Sequence, residues 1–334
     1  MDNYNWILEM TKVELHCHLD GSISAEAVAT IADKIGRPVP PKKTLRQAMT
    51  APKDCKSLAE YLSCFDFVLD YLQSEAALEI AGYDVVRQAA LDNVKYIEVR
   101  FSPMLFCKDG LKPHQAVEAV LRGLDKGQAE HNIKAEAILC MMRHMDEQEN
   151  QTVLDLARNY LNSGVCAVDI AGDEAAYPME NYINLFRQAD KYSVPYTVHA
   201  GECGNAENVR LAVELGAGRI GHGIALAQNP EIAALCIKKG VLLEVCPTSN
   251  IQTKAAAGWA QHPFPKLDAM GINICINTDN RTVSQITLND EYRAVCEHFG
   301  YCSKEQMQRF SSQALEGAFL SRDGKNEIMK MMEI

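Results

Sequence analysis

Short apolar runs alternate with longer amphipathic stretches along the whole chain. Strand-like runs occupy 12–18, 96–101, 135–141, 167–171, 196–199, 219–222, 242–246 and 273–278. Between them lie segments of helical periodicity such as 179–192, 206–215 and 230–238. Eight such βα units predict an α/β fold whose parallel sheet closes into a (β/α)8 TIM barrel. A doubly wound open sheet is the rival, but it usually has fewer strands. No linker, low-complexity run or internal repeat divides the chain, so residues 1–334 read as one domain. The first unit is longer than the rest: a helical insertion over about 22–74 separates strand one from strand two. An insertion after a barrel strand sits over the C-terminal face, where active sites form. Within it, Leu58, Tyr61, Leu62 and Phe65 recur at i, i+3, i+4 and i+7, the spacing of one helix face. Core packing alone would account for that stripe.

Polar residues collect where these strands end. Strand one ends in His16-x-His18, and side chains two apart on a strand share a side. An isolated pair of this kind is more often two ordinary core histidines. Here strand five ends in His199-Ala200-Gly201-Glu202, strand six in Gly221-His222-Gly223, and strand eight in Asn277-Thr278-Asp279-Asn280. In a barrel these ends converge on one mouth. Three histidines and one carboxylate, His16, His18, His199 and Asp279, suit a single Zn2+ ion. A second metal is not expected, because strand four ends Asp169-Ile170-Ala171-Gly172-Asp173-Glu174 without a bridging lysine. Zinc lowers the pKa of bound water from about 16 toward about 7. Asp279 can accept that water's proton, His222 can steady developing charge, and Glu202 suits a proton donor to the substrate.

The 334 residues are 47% hydrophobic, enough for a large core, and carry a formal net charge of −11. That charge argues against a nucleic-acid partner. No apolar run reaches membrane-spanning length, and the first ten residues lack the pattern of a signal peptide. The twelve cysteines contain no C-x-x-C and fall mostly in apolar runs. They read as reduced, buried thiols of a cytoplasmic protein. Gly216-Ala217-Gly218-Arg219-Ile220-Gly221 matches G-x-G-x-x-G, but a helix precedes it and a strand follows, the reverse of a dinucleotide site. Gly216 reads instead as a helix C-cap. The H-x-E and P-C-x-x-C pattern of zinc deaminases of nucleic-acid bases is absent. Ser102 and Ser249 end strands without a histidine–acid relay, and His144 after strand three could line the mouth.

Taken together, ELHCHLDG, EVRFSPML, ILCMMRH, VDIAGDE, TVHAGE, RIGHG, EVCPTSN and INTDN resemble, in order, the adenosine deaminases of the metal-dependent amidohydrolase superfamily. The resemblance implies zinc on His16, His18, His199 and Asp279, one ion per chain. It implies that Glu202 protonates the purine N1, that attack falls on C6, and that His222 and Asp279 manage the protons. The substrate contacts it implies are His18, Asp20 on the ribose hydroxyls, and Gly172 through its backbone N–H on N3, where a side chain would clash. Leu58, Tyr61, Leu62 and Phe65 would form an apolar lid beside the ribose. Asn280 departs from relatives that carry a second aspartate facing the purine N7: an asparagine amide donates there at any pH, an aspartate only when protonated. The implied activity is deamination of adenosine and 2′-deoxyadenosine to inosine and 2′-deoxyinosine plus ammonia, by a monomer or weak homo-oligomer whose partner is a small purine nucleoside. The same chemistry on adenine or a modified adenosine is the nearest alternative. A catalytically inactive purine-binding barrel is an alternative of another class.

Overall fold

The computed structural model describes residues 4–52, 55, 58–301 and 303–332, with Leu58 and Ala59 described in backbone alone. Eight parallel strands follow in order: β1 (Lys12–His18), β2 (Val94–Phe101), β3 (Lys134–Met142), β4 (Val165–Ala171), β5 (Thr197–Ala200), β6 (Arg219–His222), β7 (Leu242–Val245) and β8 (Asn273–Ile276). β1 to β4 pair in sequence, as do β5 to β8. Two seams join these halves into a barrel. At one, Val168 N–H donates to the Pro195 carbonyl (3.0 Å). At the other, His18 N–H donates to the Asp279 carbonyl (2.7 Å) and Asp279 N–H to the His16 carbonyl (3.0 Å). The expected strands all form, and their bounds differ by one or two residues. Strand eight stops at Ile276, because Asn277 spends its side chain on Leu15 N–H (2.8 Å) and the chain then turns into the mouth.

Local chemistry sets the helix ends. Ser24, Ser74, Asp146, Thr287 and Ser303 each accept an orphan N–H of the helix that follows. Gly216 ends Ala206–Leu215 at φ +114°, the C-cap expected of it. The insertion is helical, with Ala25–Ile35, Lys42–Ala48, Leu58–Leu62 and Cys64–Leu69 preceding the long helix Glu75–Leu91. Its apolar stripe is not one helix. Ser63 interrupts it, its hydroxyl bonding the Glu60 carbonyl (2.7 Å), so Leu58, Tyr61 and Leu62 lie on one short helix and Phe65 on the next.

The strands are buried on both faces, as a helix-covered parallel sheet requires. The barrel interior, however, is charged. Arg219 pairs with Glu98 (2.6 Å) and Glu244 (2.7 Å), and Arg100 with Glu244 (2.7 Å) and Asp169 (2.8 Å). Below this network, the Tyr96 hydroxyl lies 3.0 Å from Glu98 and 3.2 Å from Glu136. No described helix is long and apolar enough to cross a membrane. Among the described residues the cysteines are free thiols, most of them buried.

Glu136 offers a test of this lower layer. Burial, then the neighbouring charge of Glu98, pushes its carboxyl up to about 7 from an ordinary 4.5. A carboxyl raised in the folded state contributes stability at low pH that is lost as pH rises from about 4.5 through 7. Glu136→Gln removes that dependence. The variant is expected to match the native chain near pH 5 in thermal unfolding, and to exceed it at pH 8 by on the order of 1 kcal/mol.

Candidate active site

The strand ends meet as a single cluster. The Nε2 atom of His16 lies 3.2 Å, and that of His18 3.4 Å, from Asp279 Oδ1. His18 Nε2 is 3.3 Å from His199 Nε2. One donor atom each from His16, His199, His222 and Asp279 falls within 4.8 Å of the others. The expected His16, His199 and Asp279 are thus brought together with His222, and His18 joins them through its contacts with His199 and Asp279. For a tetrahedral ion with ligands at about 2.0–2.1 Å, neighbouring donor atoms sit about 3.3 Å apart. The spacings here match that edge.

Tautomers sharpen the point. His16 Nδ1 donates to Glu244 (2.9 Å), and His199 Nδ1 lies 2.8 Å from Asp169. His16 thus turns an unprotonated Nε2 inward. A lone pair of His16 then faces a carboxylate oxygen, and no hydrogen bond satisfies that buried atom. A cation between them would make such a set favourable. Burial holds His16 down to about 4 and pushes His18 well below its ordinary value. For Asp279 burial acts in the opposite sense, and the surrounding histidines His16, His18 and His222 outweigh it, holding the carboxylate well below its usual range. Burial lowers His199 too, but the charge of Asp169 outweighs it and leaves that imidazole raised. Unprotonated imidazole nitrogens and an ionised carboxylate are the forms a metal binds.

Backbone conformation aims these groups. His222 (φ +65°) and Asp279 (φ +63°) both adopt the left-handed region, uncommon for residues with a side chain. The hydrogen bonds of the β1–β8 seam hold Asp279 there. Ser249 donates to Asp279 Oδ2 (2.6 Å), which leaves Oδ1 for the imidazoles; this, not nucleophilic attack, is what the serine does. Asn250 lies 3.0 Å from His222 Nδ1, so His222 Nε2 looks toward Glu202 Oε2 at 3.7 Å. Thr253 donates to the other Glu202 oxygen (3.2 Å).

All of this faces one cavity of about 350 Å³. His18, Asp20, Gly172, His199, Glu202, His222, Asp279 and Asn280 line it on the polar side. Tyr61, Leu62, Phe65, Leu69, Phe101, Leu105 and Met142 line it on the apolar side. Leu58 begins the first lid helix, and its side chain lies outside the described residues. His144 also reaches the wall, along with Asp66 and Asp173. Among the described residues, no lysine or arginine lines this space.

Three details refine the expectations. Gly172 sits at φ +106°, so backbone conformation already requires glycine, while an added Cβ would come no closer than 3.6 Å to other protein atoms. The Asn280 amide donates to the Tyr61 hydroxyl (3.0 Å), which bonds Ser284 Oγ (2.7 Å); one of its two N–H groups is thereby spoken for. Gly21 is needed against that same amide, since a Cβ there would fall 1.8 Å from Asn280 Oδ1. Burial pushes Asp20 up to about 6, with the charge of Asp279 adding to the shift.

Sequence reasoning missed the residues behind the cluster: Arg100, Asp169 and Glu244, and the Glu174 carboxylate under the Glu202 loop. Charged letters inside apolar strand runs, as in Tyr96-Ile97-Glu98-Val99-Arg100-Phe101, were the available signal.

Comparison with known proteins agrees with the geometry. A family model described as adenosine deaminase matches residues 11–333. An adenosine deaminase of Enterococcus faecalis is 45% identical over 320 residues, 96% of this chain and 95% of its own length. Two solved structures share the fold. An amidohydrolase from Burkhoderia ambifaria with bound Zn superposes with a TM-score of 0.90 at 24% identity, covering 100% of this chain and 92% of its own. An adenine deaminase from Arthrobacter aurescens gives 0.86 at 22% identity, covering 96% and 98%. The chain belongs to the adenosine deaminase family, a family of hydrolytic deaminases.

Proposed function

We propose that this protein is a zinc-dependent deaminase of adenosine and 2′-deoxyadenosine, releasing inosine or 2′-deoxyinosine and ammonia. The observation that carries the reading is the shared cavity: the inward-facing cluster and the Glu202 carboxyl line one wall of a space whose other wall is apolar. His16, His18, His199 and Asp279 would hold one zinc ion. Zinc bound there supplies Lewis acidity and a water of lowered pKa. Glu202 gives a proton to ring N1, which removes the aromatic resistance to attack at C6. His222 Nε2 and the Asp279 carboxylate take up protons from the attacking water. Leu62, Phe65 and Leu105 exclude bulk water from the ring. Asp20 accepts from the ribose hydroxyls, Gly172 N–H meets N3, and the free amide N–H of Asn280 meets N7.

Charge and size narrow the substrate. The wall carries the carboxylates of Asp20, Asp66 and Asp173 and no described lysine or arginine, an environment hostile to a 5′-phosphate. A cavity of about 350 Å³ is at the small end of ligand sites, roomy for a bare base and suited to a nucleoside. Deamination of adenine is the second reading, favoured only by the likeness to a solved adenine deaminase. We place the reaction in purine salvage in the cytoplasm, where the free thiols fit a reducing compartment, with the chain acting as one domain, monomeric or weakly self-associating.

The test is the ultraviolet spectrum on mixing the purified protein with adenosine, adenine or AMP. A shift to the inosine spectrum is expected with adenosine alone, and turnover of adenine alone would transfer the function to the second reading. Glu202→Gln is expected to retain zinc and lose on the order of 10²–10⁴ in kcat; near-native turnover would remove Glu202 as the acid. His199→Ala is expected to come out largely zinc-free by metal analysis, and stoichiometric zinc would refute the ligand set.

A further inference from the structure

Glu202 has few side-chain restraints, with Thr253 Oγ1 at 3.2 Å and His222 Nε2 at 3.7 Å. Its position depends on its backbone, and one buried carboxylate holds that backbone. Glu174 Oε1 accepts from Gly201 N–H (2.6 Å) and from Asn208 Nδ2 (2.8 Å). Glu174 Oε2 accepts from Glu202 N–H (2.9 Å) and Cys203 N–H (3.0 Å). Three successive backbone N–H groups thus converge on one anion, a concave arrangement that the φ of +72° at Gly201 permits. Asn208 is itself anchored, its Oδ1 accepting from Met179 N–H (2.9 Å). Glu174 is 3% exposed, and among the described residues no lysine, arginine or histidine forms an ion pair with it. Its hydrogen bonds all come from N–H donors, each a charge-assisted bond, and the Arg143 guanidinium adds electrostatic attraction without an ion pair.

We propose that Glu174 is a positioning residue for the deamination: its carboxylate clasps the turn after β5 and so sets where Glu202 presents its proton to the purine ring. The proposal rests on the reading of Glu202 as the acid. Only an ionised carboxylate fits the clasp, because it accepts at both oxygens, whereas an amide would set an NH2 against N–H donors. A turn released in this way lets Glu202 drift, and a displacement of about 1 Å at a reacting group costs about 10²-fold in rate. Substrate binding by the apolar wall is untouched.

The experiment is a double-mutant cycle on zinc-loaded protein. Glu174→Gln is expected to lower kcat for adenosine about 10- to 100-fold, to leave KM within about threefold, and to keep one zinc per chain. In the Glu202→Gln background the same change is expected to cost less than about twofold, because the residue acts through Glu202. Native kcat in Glu174→Gln overturns the proposal, and so do losses that multiply in the double variant, the mark of a purely structural role. Should Glu174→Gln fail to fold, Asn208→Ala, which removes one of the four bonds to the clasp, takes its place in the cycle under the same criteria. Full activity in the single Glu202→Gln variant would instead refute the acid assignment itself, and that result is read without Glu174.

Discussion

One buried carboxylate ties the closed sheet to the histidine–aspartate cluster at its mouth. Glu244, on β7, accepts from His16 Nδ1 (2.9 Å), Arg100 (2.7 Å), Arg219 (2.7 Å) and Thr197 (2.8 Å). Burial alone would raise its pKa; Arg100 and Arg219 overcome that and hold it well below the usual range. Strands β1, β2, β5, β6 and β7 are thereby joined inside the barrel by charge rather than by apolar layers. An ion pair taken out of water stabilises only when every remaining lone pair and proton is met. The network approaches that condition, and it fixes an imidazole as a by-product. Removing one member would strand the others, at about 3–5 kcal/mol.

The same economy governs the mouth. The hydrogen bonds that close β8 onto β1 are the ones that hold Asp279 in its left-handed conformation. Barrel closure and the aim of the Asp279 carboxylate rest on the same hydrogen bonds. His222 carries similar strain at the end of β6, where a backbone bond from Gly223 N–H to the Ala200 carbonyl (3.0 Å) secures the turn. Strain of this kind, about 1–3 kcal/mol per residue, persists only where the surrounding structure over-determines it. Here the hydrogen-bonded strand ends do so.

Much of this was legible in the residues. Alternation of apolar runs with amphipathic stretches identified eight strands, because a parallel strand covered on both faces must be almost wholly apolar. The two histidines of His16-x-His18 share a side because strand periodicity is two. The apolar stripe of the insertion was legible as packing, yet its single helix was not real. A serine hydroxyl competing for a backbone carbonyl ended it at Ser63, an event periodicity does not register. The roles of Ser249 and Glu174 were illegible, since neither has a local partner: Ser249 meets Asp279 thirty residues on, and Glu174 meets Gly201 twenty-seven residues on.

The sequence by itself determined the strand count, the residue types at each strand end, and the family to which those motifs belong. These depend on local periodicity and on short motifs, which a linear reading contains. Tertiary structure alone decided that the Asn280 amide is engaged by Tyr61, and that the cavity wall has no described cation to receive a phosphate. Those facts depend on which distant side chains come within a few ångströms of each other. Barrel closure sets that, and no stretch of chain encodes it alone.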